Sequence, residues 1–184
     1  MKKPFYIIGA VVVLVLLYSW MTYNSLVGAN VAVDGQWAQV ETQYQRRLDL
    51  IPNLVASVQG IFKQEQTIFT ALADARSQYA GATTVDAKAQ AATQVESSLG
   101  RLLAVVENYP QLKSSDTVQT LMTQLEGTEN RVSVERMRFN QLVQNYDLTV
   151  QRFPSSIVAS MFGFSARPYF QAAAGAEVAP TVKL

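Results

Sequence analysis

Asp49 stands beside the Arg46-Arg47 pair, Glu107 precedes Asn108, and Glu126 and Glu129 are three residues apart. On a helix that spacing puts two carboxylates on one face, the raw material of an acid and base pair or of an oxygen-rich metal site. The partners such chemistry needs are missing. With no His and no Cys in the chain, the commonest general base, the commonest metal ligand, any thiol nucleophile and any disulfide framework are gone. No Glu-x-x-His pair completes a di-iron bundle site, and Ser155-Ser156 have neither a His nor a Ser-x-x-Lys arrangement to activate them. No glycine-rich phosphate loop is present. The expectation is a protein that is not an enzyme, with no catalytic residue, no metal site and no cofactor; a carboxylate-metal enzyme is the last of three readings.

The same charged residues have a structural use. Arg46, Arg47 and Asp49 interrupt an apolar stripe near Pro52, and Glu126, Glu129 and Asn130 cluster on a later helix. Charges taken out of water are usually paired. The spacing therefore predicts a polar layer of Arg46, Arg47, Asp49, Asn53, Glu126 and Glu129, with an Arg pairing a Glu across helices and Asn53 satisfying backbone groups freed at the proline. A ligand or partner site at the bend is the sharper alternative.

These residues need long helices to hold them. Trp37, Val40, Tyr44, Leu48, Ile51, Val55, Val58, Phe62, Phe69, Leu72 and Tyr79 mark one helical face in steps of three, four or seven. The pattern predicts a helix running almost to Gly81. Pro52 either kinks it or reverses the chain, and the apolar Asp49 to Leu54 stretch is poor loop chemistry, which favours the kink. Thr83 and Asp86 have capping-box spacing for a second helix with Ala92, Val95, Leu99, Leu102 and Val106, stopping at Pro110. Asp116 and Gln119 open a third, which carries Val118, Leu121, Leu125, Val132, Phe139, Leu142, Tyr146 and Val150 to Phe153-Pro154. Phe153, Phe162, Phe164, Tyr169 and Phe170 then crowd a segment too short to span a membrane; it is read as a cap over the bundle end or as a docking surface. Glycines at 60, 100 and 127 fall inside helical patterns, where close helix contact is one use for them.

Upstream, Pro4 to Tyr23 contains no charge, and twenty residues at ~1.5 Å each cross a ~30 Å hydrocarbon layer. Tyr18, Trp20 and Tyr23 suit the aromatic belt at one end. A cleaved signal peptide is the rival, with Val27-Gly28-Ala29 as its small residues, but the apolar run is longer than an ordinary signal core. Lys2 and Lys3 precede the span and no Lys or Arg returns until Arg46, so the positive-inside rule puts the N-terminus in the cytoplasm. Removing those two lysines from the 15 basic residues leaves 13 against 14 acids. That neutrality argues against nucleic acid as a partner.

Several stretches are distinctive beyond their periodicity: Tyr23-Asn24-Ser25-Leu26-Val27, Arg46-Arg47-Leu48-Asp49-Leu50-Ile51-Pro52-Asn53-Leu54-Val55, and Gly100 through Lys113. Leu125-Glu126-Gly127-Thr128-Glu129-Asn130-Arg131, Phe153-Pro154 and Phe162-Gly163-Phe164 follow in order. Together they resemble the LemA family of bacterial membrane-anchored helical proteins, a likeness that covers about residues 23 to 170. Phe139-Asn140 and Asn145-Tyr146-Asp147 depart from it where Tyr-Asn is usual. The resemblance implies a helical domain behind one N-terminal span and little chemistry; relatives in magnetosome membranes and others linked with envelope proteases extend it toward membrane shaping or an adaptor role.

The expectation is thus all-α: a cytoplasmic N-terminus (1–3), a transmembrane helix (4–23), an extended antiparallel three- to four-helix bundle (24–171) with a short aromatic C-terminal cap, and a flexible tail (172–184). The first functional reading is a non-enzymatic scaffold of the cell envelope, single-pass in the inner membrane, contacting the lipid bilayer through residues 4–23 and self-associating as a homo-oligomer. The alternative is an adaptor or sensor docking an envelope protein such as a protease.

Overall fold

A computed structural model describes residues 3–60 and 66–170, and these are all-helical. α1 (Lys3–Gln59) is a single helix of 57 residues. Its first part is apolar on every side, with Ile7, Leu14 and Leu16 each more than 60% exposed. Among the described residues it is the one helix long and apolar enough to cross a membrane, by length and composition. Further on, a seam takes over: Leu26, Val33, Val40, Arg47 and Leu54 are buried at intervals of seven, and Tyr44, Ile51 and Val58 are buried four residues after the last three of them. That repeat is the one by which helices pack along their length. Pro52 sits inside α1 without ending it. The ring is exposed, so water can reach the Leu48 carbonyl that loses its partner, while Leu48, Ile51 and Leu54 stay buried around it.

The helix does not continue to Gly81, as its stripe suggests. α1 ends at Gln59 and a separate α2 spans Gln66–Gly81. The rings of Tyr44 and Tyr79 lie 5.4 Å apart, whereas in one straight helix they would be ~50 Å apart. The chain therefore reverses between Gln59 and Gln66. Gly60 and the polar Lys63-Gln64-Glu65-Gln66 run supply the composition for it. Phe62 of the stripe lies outside the described residues, as do the proposed tail and the first two residues.

α3 (Val85–Glu107) begins at Thr84, whose Oγ1 accepts from the Ala87 amide at 3.2 Å. The cap is one residue beyond Thr83, because Thr84 is the residue that keeps an extended backbone there. α4 (Pro110–Lys113) is one turn opened by its proline. α5 (Asp116–Gln151) has 36 residues, and its buried seam is Val118, Leu121, Leu125, Thr128, Val132, Phe139, Val143 and Tyr146. α6 (Ser155–Met161) follows the cis Phe153–Pro154 bond. It closes with Gly163 at φ +76°, the Phe164 amide reaching Ala159 O at 2.9 Å. This is the glycine-dependent stop that satisfies late carbonyls of a helix.

Two compact units result. In the first, α1 up to Gln39 meets α5 from Met137, α6 and the segment to Tyr169. Leu26, Val33 and Val143 are fully buried there, and Trp37 meets Phe139 edge to face at 5.3 Å. In the second, the rest of α1 and α5 packs with α2, α3, α4 and Phe170. Its core is Leu54, Leu72, Leu99, Leu102 and Leu125, each at most 2% exposed. Every such side chain stabilises by about 1.5–3 kcal/mol relative to exposure.

Candidate functional site

Charge is concentrated in the second unit, on a layer crossing three helices. Arg47 occupies a seam position of α1 and is 6% exposed, held there by the apolar residues one turn either side. Its guanidinium pairs with Glu129 of α5 and lies 3.7 Å from Glu96 of α3. Glu96 is also bound by Arg136 of α5, and it accepts a hydrogen bond from the Tyr44 hydroxyl at 2.7 Å. Arg136 in turn lies 5.2 Å from the Tyr44 ring centroid and 4.3 Å from that of Phe170, two rings that stack on each other at 6.4 Å, and both quadrupoles favour the cation. Two guanidiniums thus face two carboxylates, with Tyr44 as the fifth member.

Burial dominates the electrostatics. It pushes Glu96 up to about 7, helped by the Glu129 carboxylate and opposed by Arg47. It also pulls Arg136 down to about 10. The Nε atoms of both arginines are buried without a hydrogen-bond partner, each costing about 1–3 kcal/mol of desolvation. Nearby, the Tyr79 hydroxyl is buried and unpartnered, and burial, then the Glu41 carboxylate, raises its pKa so that it stays a neutral phenol. Glu41 is engaged by Lys88.

Of the six residues expected in a polar layer, the structure brings Arg47 and Glu129 together. Arg46, Asp49, Asn53 and Glu126 are exposed. Asp49 accepts from Gln45 at 2.8 Å on its own helix. Asn53 lines a groove of about 610 Å³ with Ser57, Asp116, Thr117 and Thr120. Glu96 and Arg136 were not singled out by the sequence reading. Their signal is positional: Arg136 falls four residues after Val132 and three before Phe139, on the seam itself, and Glu96 adjoins the seam residue Val95. Among the described residues no three His, Cys, Asp or Glu side chains converge to hold a metal ion.

The aromatic set divides. Phe170 is buried under Arg136, Phe164 is half-buried, and Phe153, Phe162 and Tyr169 are exposed. Within the first unit, Tyr23 meets Phe162 at 4.8 Å and Phe164 at 5.8 Å. The segment is pinned by Arg167: its amide donates to Asp147 at 2.9 Å, and its guanidinium donates to Asn30 at 2.9 Å and Asp34 at 2.6 Å. Phe162 and Phe164 therefore lie beside the end of the apolar run.

Residues 36–184 match the profile of the LemA family. Magnetosome protein MamQ 2 and magnetosome protein MamQ 1 of Paramagnetospirillum magneticum are each 27% identical to the chain, over 82% of it and 65% of their own length. Magnetosome protein MamQ of Magnetospirillum gryphiswaldense is similar to the same extent, at 27% identity and the same coverage. The chain thus spans about 65% of the length of the curated relatives it matches.

Proposed function

The chain belongs to the LemA family, and from that premise we propose that it is a non-enzymatic, membrane-anchored scaffold of the bacterial cell envelope. It self-associates and organises envelope proteins or membrane. The observation that carries the reading is α1 itself. One helix joins an apolar run exposed on all sides to a heptad seam that organises the bundle, which is the construction of a tethered support. The charged layer supports it too, since Glu96, Glu129, Arg47 and Arg136 are spent on one another rather than aimed at a shared open space. Likeness to magnetosome proteins supports membrane as part of what is organised. In this reading residues 4–23 cross the inner membrane, with Lys2 and Lys3 on the cytoplasmic side.

The test is the oligomeric state of the full chain in bilayers. Single-molecule photobleaching of protein labelled at Ser97→Cys, in vesicles at rising protein-to-lipid ratio, is expected to show two or more steps. A single step at every ratio would overturn self-association.

A further inference from the structure

The first unit carries a second apolar face besides the anchor, and we propose that α6 lies in the membrane interface with Phe153, Ile157, Met161 and Phe162 seated among lipid chains. The inference rests on the membrane-anchored part of the reading above and adds a second lipid contact to it.

α6 is two-faced. Ser155, Val158 and Ala159 are buried against the unit, while Phe153, Ile157 and Met161, at four-residue steps, are 77%, 53% and 76% exposed. Phe162 continues that face at 54%. An exposed apolar surface of this kind usually marks a contact, and here its position names the occupant. Phe162 packs on Tyr23. Phe153, Pro154 and Arg152 share the walls of a groove of about 410 Å³ with Tyr18, Met21 and Thr22 of α1. Those α1 residues are the last turns of the apolar stretch from Pro4 to Tyr23, which gives way to Asn24 and Ser25. A span of ~30 Å starting near Pro4 ends there, so whatever touches Tyr18 to Tyr23 is held at the bilayer boundary. On the same turns of α1, Trp20 and Met21 are 67% and 72% exposed, making one apolar surface continuous with the anchor. A seven-residue helix is too short to cross and carries no charge of its own, which leaves the interfacial position; Arg152 just before it can keep its guanidinium at headgroup level.

The chain has no cysteine, so single cysteines take a fluorescent label in full-length protein reconstituted into vesicles of phosphatidylethanolamine and phosphatidylglycerol. The positions are Met161→Cys, Val13→Cys in the anchor and Ser97→Cys on exposed α3. Expected at Met161→Cys is blue-shifted emission and, for a probe ~5–10 Å below the surface, at least about twofold more quenching by a shallow doxyl lipid than at Ser97→Cys. Quenching equal to the Ser97→Cys site while Val13→Cys is quenched by a deep doxyl lipid overturns the inference and leaves the anchor standing. Blue-shifted emission without doxyl quenching overturns it in favour of a covering protein surface, a second copy or another partner. Loss of quenching at Val13→Cys as well overturns the anchored reading beneath it.

Discussion

Glu96 is the residue through which pH reaches the second unit. Its folded pKa, about 7, stands above the 4.5 of an ordinary glutamate, so between those values the native state holds a proton that the unfolded chain has released. Stability from this group is fully present below the unfolded pKa and is lost as pH rises through the folded one. The loss is on the order of a few kcal/mol at most, reduced by partial exposure of the side chain. Denaturant unfolding of the full chain in detergent, compared at about pH 5 and about pH 8, is expected to show a lower midpoint at the higher pH, and Glu96→Gln is expected to flatten the difference. An undiminished difference in the variant would assign the titration elsewhere. The stacked rings of Phe170 and Tyr44 both lie against Arg136, so an aromatic that reads as surface in the sequence is part of a cation's surroundings.

Glycines separate the elements that need an unusual backbone from those that tolerate one. Gly163 has φ +76°, where any side chain strains the backbone by about 1–2 kcal/mol. A Cβ at Gly100 or Gly127 meets nothing within 4 Å, so within one chain neither serves close packing. Gly163→Ala should lower thermal stability of the first unit, whereas Gly100→Ala and Gly127→Ala should each raise stability by about 1 kcal/mol. Calorimetry of the detergent-solubilised protein reads both signs. The helices themselves were legible because apolar residues repeat at helical spacing along α1, α3 and α5, and Pro110 and Phe153-Pro154 punctuate them. The reversal between α1 and α2 was not, because Phe62 and Phe69 keep the stripe alive across the gap, and hydrophobic spacing does not record direction. Arg47 was legible as a charge breaking an apolar face. Glu96 was not, since an acid next to a seam reads as solvated until Arg47, Arg136 and Tyr44 arrive from other helices.

At the scale of the whole molecule, the proposed sidedness rests on Lys2 and Lys3 before the apolar run. A membrane-impermeant maleimide added to intact spheroplasts should label Ser97→Cys and leave a cysteine placed at Lys3 unlabelled; the reverse pattern would invert the orientation. The division into units has a different consequence, in time. The first unit is assembled from residues before 40 and from 137 to 169, with most of the second, residues 40–136, lying between them in sequence. A ribosome adding ~5–20 residues per second needs several seconds to pass from one part to the other. The helix bearing Leu26 and Val33 is thus made well before Val143, Tyr146 and α6 exist, and folding of the intervening unit shortens the gap its late partner must close. The unit that holds the apolar run is begun first yet waits for residues 137–169 to be made, and through that interval its seam is open to lipid, to a chaperone, or to the late segment of a neighbouring copy.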